Sequence, residues 1–391
     1  MNDILIITSY FPPEMGAASN RISNLSEGLS QNNFNVSVVT PLPNYPTGKI
    51  FKSFRKILKK TSIENNITIH RLWIYATNSK NKIKRLFAML SYSFSLICFF
   101  LFSKTPKTII IQSPPLLVAF TSIFFLRFKK NSTIILNVSD LWPLAGLELN
   151  ALKKGMSYNI LKNIEAFNYK YADVILGQSD EILSHITGLF PHKKTLLYRN
   201  YPNFNPKKII NEEKKSTQKL NIVYAGLIGA AQDILSLCKN LDYNIISLHI
   251  YGDGMERNAV IKYIDKNPNA DITYHGELSK DALHNVLPKY DFTIVPLQQR
   301  IYGSVPSKIF EYARLGIPIL YFGGGEGNTI ISKYQLGWIA EEGNYNSLNS
   351  CISKIYKNKQ QWPSRKQIQD TGITCFDFEK QLKLFIDTVL K

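Results

Sequence analysis

Short apolar runs alternate with longer amphipathic stretches along most of this chain. The first run covers residues 4–8 and is followed by a helical pattern at 21–29, and the same order returns later in the sequence. Apolar runs of about four to eight residues bounded by turn residues predict strands, and a period of about 3.6 residues predicts helices. Further strands are predicted at 36–40, 108–112, 133–138, 174–177, 221–225, 248–251, 272–275, 291–296 and 319–322. Strands that alternate with helices predict parallel α/β sheets.

The alternation is interrupted once, at residues 204–219, where charged residues replace apolar ones. This interruption predicts a linker. We therefore expect an N-terminal domain at 1–203, a linker at 204–219, a second domain at 220–375, and a C-terminal helix at 376–391 that returns to the first domain. With 391 residues, of which 45% are hydrophobic, the chain is long enough for two α/β domains.

The segment before the 319–322 strand carries the most informative polar residues. Gly303, Ser304 and Ser307 form a turn that leads into an amphipathic helix with Lys308 in its first turn and Glu311 in its second. The first turn of a helix presents free N–H groups, which suit a diphosphate, and Lys308 would add a charge-assisted contact. An ionised Glu311 suits the two hydroxyls of a ribose. The alternative interpretation is an ordinary Ser-capped helix.

This segment resembles a glycosyltransferase motif. The pattern Pro306-Ser307-Lys308-x-x-Glu311-Tyr312 is similar to that of GT-B transferases in the retaining class GT4, especially a subgroup that makes bacterial surface polysaccharides. The family motif has two glutamates, and Gly303 stands where the first would be. The resemblance implies the GT-B fold, with two Rossmann-like doubly wound parallel-sheet domains facing a cleft. It also implies that Glu311 binds the nucleotide, while the absence of the first glutamate leaves the donor sugar open.

Glycine-bearing turns after predicted strands extend the resemblance. Gly16 opens the first helix, and the resemblance implies that its loop lies on the acceptor and diphosphate side. By the same resemblance, the backbone at Gly229 contacts the diphosphate with Lys308, and the nucleotide lies near Gly252 and Gly276. The first turn is not a G-x-G-x-x-G fingerprint and no acidic residue follows the second strand, so a nicotinamide-dependent dehydrogenase is not expected.

Asp140 follows the predicted strand 133–138, at the end of a parallel strand where α/β folds bind ligands. The sequence Asp140-Leu141-Trp142-Pro143 resembles the same subgroup, whose relatives place a catalytic group on this loop. We therefore expect Asp140 and Lys308 to be catalytic. Glu148 is a weaker candidate. The alternative is that Asp140 only caps a turn.

Charge is concentrated in the N-terminal third. The net charge is +18, and residues 1–130 hold 17 Lys and Arg against four acidic residues. A basic stretch, 49–85, directly precedes an uncharged apolar stretch, 86–103, which is typical of a surface that docks on anionic lipid. We favour a half-buried helix that touches the bilayer over a fully buried core helix or a membrane span. Nucleic acid is not an expected partner, because no nucleic-acid motif accompanies the charge.

Two absences shape the expected chemistry and location. The chain has no Asp-x-Asp pair, so we expect no metal and no cofactor beyond the nucleotide-sugar co-substrate. Four widely spaced cysteines and the lack of a leader pattern predict a reducing compartment. We expect a cytoplasmic protein that associates peripherally with the inner face of the cytoplasmic membrane.

The expected function is retaining transfer of a sugar from a nucleotide diphosphate sugar. The expected acceptor is an oligosaccharide linked to undecaprenyl diphosphate, during synthesis of O-antigen, lipopolysaccharide or capsule. Two alternatives remain open: a sugar-nucleotide epimerase of the same fold, and a degenerate transferase that acts as a binding partner.

Overall fold

The computed structural model describes residues 2–79, 81–129, 132–209, 218–298 and 300–391. The chain forms two compact units, Met1–Asn200 with Glu379–Lys391, and Tyr201–Phe378. The sequence places the boundary at 203 and a linker at 204–219, whereas residues 204–209 lie in the second unit. The remainder of that expected linker, 210–217, lies outside the described residues.

The first unit is built on an eight-stranded sheet. Its strands are β1 (Asp3–Ile7), β2 (Asn35–Pro41), β3 (Lys59–Glu64), β4 (Ile67–Leu72), β5 (Thr108–Ser113), β6 (Thr133–Val138), β7 (Val174–Gly177) and β8 (Lys194–Leu197). Their order across the sheet is β3-β4-β2-β1-β5-β6-β7-β8. All pairs are parallel except β3 with β4. The chain leaves β1 toward β2 and later continues from β5 on the other side, which is a doubly wound topology.

Helices lie between these strands along the chain. They are α1 (Ala17–Gln31), α2 (Lys82–Phe102), α3 (Leu116–Leu126), α4 (Leu144–Glu148), α5 (Met156–Tyr171) and α6 (Asp180–Leu189). Helix α2 packs on α3, and α3 packs on α5, so these helices form one continuous layer. The central strands β1, β5, β6 and β7 are mostly apolar and buried, as expected for parallel strands covered on both faces.

The hairpin of β3 and β4 was not among the predicted strands. It lies within the basic stretch 49–85, and β3 buries none of its side chains. A strand without a buried face lacks the alternation of apolar and polar residues from which strands are predicted. Exposed lysines on β3, such as Lys59 and Lys60, also suit an edge strand because charge discourages pairing with other chains.

Helix α2 is buried on one side only. Tyr92 and Leu96 are buried, whereas 61% of Phe87 and 63% of Phe94 are exposed. Among the described residues, one helical segment, Ile83–Phe102, has the length and hydropathy of a membrane span, and 33% of that span is buried within the protein. The helix is therefore neither a fully buried core helix nor fully exposed.

The second unit is built on a six-stranded parallel sheet. Its strands are β9 (Leu220–Ala225), β10 (Ile246–Tyr251), β11 (Ile272–Gly276), β12 (Phe292–Pro296), β13 (Ile319–Phe322) and β14 (Gly337–Ala340), in the order β11-β10-β9-β12-β13-β14. Its helices are α7 (Ile234–Asn240), α8 (Arg257–Lys266), α9 (Lys280–Val286), α10 (Lys308–Arg314), α11 (Glu326–Lys333), α12 (Tyr345–Lys357) and α13 (Arg365–Cys375). The strand order reverses between β9 and β12, and ligands bind at such switch points in open α/β sheets.

The chain ends with α14 (Phe378–Phe385) and a π-helical turn (Ile386–Leu390). From Glu379 onward these residues belong to the first unit. The Gln381 side chain accepts a hydrogen bond from the Arg199 N–H at 2.8 Å and donates one to the Arg199 carbonyl oxygen at 2.9 Å. The Phe385 ring packs edge-on against Tyr198, with 5.6 Å between ring centroids.

Candidate functional site

Glu311 lies at the start of α10 in the second unit. The helix begins at Lys308, so Glu311 lies in its first turn. The sequence had predicted that Glu311 lies in the second turn. The Ser307 side chain makes no capping hydrogen bond, so this is not an ordinary Ser-capped helix. Ser304 and Ser307 precede the helix in the turn that follows β12, at the switch point of the sheet.

The Glu311 carboxylate is held between two basic side chains. His284 Nε2 lies 2.9 Å from Oε1, and Lys308 Nζ lies 3.0 Å from Oε2. Only 12% of the Glu311 side chain is exposed. Burial alone would raise the pKa of Glu311, but the hydrogen bond from His284 and the charge of Lys308 lower it to about 2. The carboxylate is therefore ionised at neutral pH and acts only as an acceptor, which requires His284 Nε2 to be the donor.

His284 is a site residue that the sequence interpretation missed. It lies on α9, its ring packs on Phe204 with 4.3 Å between centroids, and its Nε2 contacts Glu311. The two residues are 27 positions apart in the chain. No local spacing connects them, so only the tertiary structure reveals the pair.

The loops after β9 and β10 come close together, and Tyr312 ties helix α10 to the end of β9. Tyr312, next to Glu311, donates a hydrogen bond from its hydroxyl to the Ala225 carbonyl oxygen, at 2.9 Å. A Cβ atom at Gly252 would lie 1.9 Å from the Gly226 carbonyl oxygen, and Gly252 has a φ of +131°, so glycine is required there. The Ile228 N–H donates to the Asp253 carbonyl oxygen at 2.9 Å and joins the two loops.

The predicted nucleotide-binding glycines of the second unit share one edge of the sheet. Gly229 follows β9, Gly252 follows β10, and Gly276 ends β11. These are the carboxyl ends of parallel strands, where the turn before α10 also lies. The structure thus brings Gly229, Gly252 and Gly276 to the same edge as Ser304, Ser307, Lys308 and Glu311.

Asp140 and Gly16 belong to the first unit. Gly16 is the N-cap residue of α1. The loop before it is organised by Glu14, a buried residue whose Oε1 accepts hydrogen bonds from the backbone N–H groups of Asn44 at 2.7 Å and Tyr45 at 2.8 Å. These two bonds tie the turn before α1 to the loop that follows β2.

Asp140 lies just after β6 and is half-buried. Burial raises the pKa of Asp140 to about 6, although the charge of Arg21 opposes this shift. The carboxyl group is therefore mostly ionised at pH 7 and becomes protonated in mildly acidic solution.

Arg21 is the second site residue that sequence reasoning missed. It is buried, and burial lowers its pKa to about 10, which still leaves it charged at neutral pH. Its guanidinium donates to Asn137 Oδ1 on β6 and to Gln178 Oε1 after β7, the latter at 3.2 Å. The sequence signal for Arg21 is its position beside the apolar residues Ile22 and Leu25 of α1. An arginine on the buried side of a helix needs buried hydrogen-bond partners.

Among the described residues, no group of three or more His, Cys, Asp or Glu side chains is positioned to hold a metal ion. The groups that contact the Glu311 carboxylate are the Lys308 ammonium and the His284 N–H donor, and such groups suit an anionic ligand. Those around Asp140 include the buried Arg21. The chemistry available in these two groups is hydrogen bonding and charge stabilisation.

Two α/β units with sheets of parallel strands define the class of protein, and the chain has the GT-B fold. Residues 206–374, which include Glu311, Lys308 and His284, match the family described as "Glycosyl transferases group 1". The fold and this match support a glycosyltransferase. No curated protein sequence matches the chain.

Several solved structures are similar over the whole chain. Sucrose-phosphate synthase from Thermosynechococcus elongatus has a TM-score of 0.76 at 13% identity, covering 99% of this chain and 98% of that one. HepE of Anabaena, solved in complex with UDP, has a TM-score of 0.69 at 10% identity and covers 100% of both chains. The lipopolysaccharide outer core galactosyltransferase WaaB has a TM-score of 0.66 at 16% identity and covers 99% of both. At these identities the similarity establishes the fold.

Proposed function

We propose that this protein is a retaining glycosyltransferase that moves a sugar from a nucleotide diphosphate sugar to a lipid-linked glycan of a bacterial surface polysaccharide. The observation that carries the proposal is the ionised Glu311 carboxylate, which Lys308 and His284 hold at the switch point of the family-matched unit. Similar structures contain UDP, which supports a nucleotide donor.

In this proposal Glu311 accepts hydrogen bonds from the ribose hydroxyls of the donor. The diphosphate is bound by backbone N–H groups near Gly229 and in the turn of Ser304 and Ser307, together with Lys308. Because Lys308 Nζ already contacts Glu311 at 3.0 Å, a bound donor would place this cation between the ribose-binding carboxylate and the diphosphate. Lys308 therefore stabilises the charge of the leaving group, in the manner of an oxyanion clamp.

The transfer step breaks the bond between the anomeric carbon and the diphosphate oxygen, and its electron pair stays on the diphosphate. The acceptor oxygen forms the new bond on the same face of the sugar, and its proton passes to the departing diphosphate. Positive charge develops on the sugar as the old bond lengthens. Asp140, ionised at neutral pH, stabilises that charge. No metal or other cofactor takes part.

The acceptor side of the proposal rests on the first unit. The exposed face of α2 and the lysines of β3 provide an apolar surface beside a basic one, and Lys59 Nζ lies 5.7 Å from the Phe99 ring centroid of α2. Such a surface suits an anionic bilayer. We place the protein peripherally on the cytoplasmic face of the membrane, where lipid-linked glycans are extended.

Product analysis tests this proposal. The purified protein would be incubated with UDP-, GDP- and TDP-sugars and with a lipid-linked glycan acceptor, and the lipid fraction analysed by mass spectrometry and NMR. We expect the acceptor to gain one sugar with the anomeric configuration of the donor. An epimerised donor without any transfer would support the epimerase alternative, and an unchanged donor with every acceptor would support a binding protein.

A further inference from the structure

A cavity in the first unit has the chemistry of a lipid head-group site. Its volume is about 460 Å³, and its lining includes Lys49, Arg55, Trp73 and Tyr75. Two of these side chains are cations and two are amphipathic aromatics. Asp140, Gly16 and Glu311 are not among its lining residues.

The walls of this cavity are fixed by hydrogen bonds. Arg55 Nε donates to the Ile50 carbonyl oxygen at 3.3 Å, which anchors the guanidinium to one wall. On the other wall, Ser95 Oγ of α2 donates to the Trp73 carbonyl oxygen at 2.8 Å. The Tyr75 N–H donates to Ser91 Oγ of α2, also at 2.8 Å. The aromatic wall is therefore attached to helix α2.

The same helix presents its exposed apolar face beside the cavity. Phe87 and Phe94 lie four positions before and three positions after Ser91, so they share its side of the helix. Both are mostly exposed. An apolar strip thus continues from the Trp73 and Tyr75 wall along α2.

We propose that this cavity binds the diphosphate head of a prenyl lipid, with the prenyl chain lying along Phe87 and Phe94. Arg55 and Lys49 pair with the phosphates, because a guanidinium and an ammonium are the side chains that bind such oxygens best. Trp73 and Tyr75 mark the boundary between polar and apolar surroundings, where amphipathic rings are favoured. The choice of a prenyl diphosphate over other anionic lipids rests on the proposed function. The cavity, its two cations and the apolar strip are observations that do not depend on the proposed function.

Farnesyl diphosphate is a soluble probe for this site, and inorganic diphosphate and farnesol are its two halves. Calorimetric titration of the full chain would compare the three. We expect farnesyl diphosphate to bind at least about 10-fold more tightly than either half, because charge and apolar contacts act together. Equal affinity for farnesyl and inorganic diphosphate would overturn the proposal, since it would show binding of a free anion only.

Matched variants test whether farnesyl diphosphate binds in this cavity. Lys49→Gln with Arg55→Gln should weaken farnesyl diphosphate about 10-fold or more, and Phe87→Ser with Phe94→Ser should remove its advantage over inorganic diphosphate. Lys153→Gln with Lys154→Gln removes two exposed charges elsewhere in the same unit and should change nothing. Equal losses in the control pair and the cavity pair would overturn the assignment.

A parallel titration with UDP and GDP separates this inference from the proposed transferase activity. The cavity variants should bind the nucleotide as the parent protein does, because the nucleotide residues lie in the other unit. Intact nucleotide binding without any farnesyl diphosphate binding would reject the cavity and leave the transferase. Farnesyl diphosphate binding in a protein that binds neither nucleotide would support the cavity and count against the transferase.

Discussion

Glu311 keeps its negative charge in a largely buried position because His284 and Lys308 each bond one of its oxygens. A buried carboxylate without such partners would be protonated more easily. The arrangement is suited to a donor with hydroxyl groups, since the ionised carboxylate has lone pairs left to accept them.

The first prediction concerns Glu311→Gln, which keeps the size of the side chain and removes its charge. We expect it to weaken binding of a nucleoside diphosphate by about 1.5–3 kcal/mol, the contribution of hydrogen bonds to a charged group. Calorimetric titration with UDP and GDP measures this change. Asp265→Asn, an exposed carboxylate on α8 of the same unit, is the control and should leave the affinity unchanged. An unaltered affinity in Glu311→Gln would remove Glu311 from the site.

The second prediction concerns Asp140 and pH. Because the pKa of Asp140 is raised to about 6 and the proposed mechanism uses its carboxylate form, turnover should fall as the pH drops from 7 through about 6. Asp140→Asn should lower turnover roughly 100-fold at pH 7, as loss of one electrostatic contact to a transition state does. Asp140→Asn should also abolish the fall in turnover on the acidic side of pH 7.

Nucleotide affinity is the control for Asp140→Asn and should hardly change. A variant that keeps the acidic fall in turnover would show that another group titrates. If affinity and turnover fell together, Asp140 would have a structural role.

Sequence reasoning at the residue scale found the motif residues and missed their partners. Lys308 and Glu311 are three positions apart on one helix, so their pairing follows from helical spacing. His284 and Arg21 reach their partners only through the packing of separate elements. In the sequence, His284 looks like an ordinary polar residue of an amphipathic helix. The position of Arg21 beside apolar residues of α1 signals its burial but does not identify its partners.

At the scale of elements, α2 and the β3–β4 hairpin form the unusual part of the first unit. Most strands follow from short apolar runs, and β6, β7 and β13 have the predicted bounds. The hairpin was missed because lysines occupy its exposed edge strand. Helix α2 could be predicted from its apolar composition, but its half-burial depends on which face packs on α3 and the sheet.

The third prediction concerns membrane binding by these elements. Replacing Lys56, Lys59, Lys60 and Lys84 with Gln should reduce sedimentation with anionic vesicles, since each charge near such a surface contributes about 1 kcal/mol. High salt should weaken binding of the parent protein for the same reason. A control with Lys262, Lys266, Lys289 and Lys354 replaced by Gln has the same net charge, with all changes in the second unit.

If the two four-site variants sediment alike, net charge and not the location of the four lysines in the first unit governs binding. Turnover on a short soluble acceptor should be similar in the parent and both variants. A loss on a soluble acceptor that is confined to the first-unit variant would mean that its four lysines have a role other than lipid binding.

At the scale of the whole molecule, each unit has its candidate site residues near the carboxyl ends of its own parallel strands. The first carries Asp140 and Arg21, and the second carries the Glu311 group. The repeated alternation of strands and helices was sufficient to predict two such domains from the sequence. The boundary between the units, at residues 200 and 201, depends on tertiary packing. The sequence therefore predicted it only approximately, at residue 203.

The fourth prediction is that turnover does not require a divalent cation. Lys308 and backbone N–H groups carry the leaving-group charge in the proposed mechanism, so excess EDTA should leave the rate within about twofold of the untreated enzyme. Initial rates before and after chelation measure this. A rate that disappears in EDTA and returns with magnesium or manganese would contradict the mechanism.

The central claim is that the Glu311 carboxylate binds the ribose hydroxyls of a nucleotide donor, and a double-mutant cycle tests it most directly. Whichever of UDP and GDP binds more tightly would be compared with its 2′,3′-dideoxy form, in the parent protein and in Glu311→Gln. If the hydroxyls bind Glu311, the parent should prefer the ribose form by about 1.5–3 kcal/mol and the variant should have almost no preference. The same preference in both proteins would contradict the account, because the hydroxyls would then bind elsewhere.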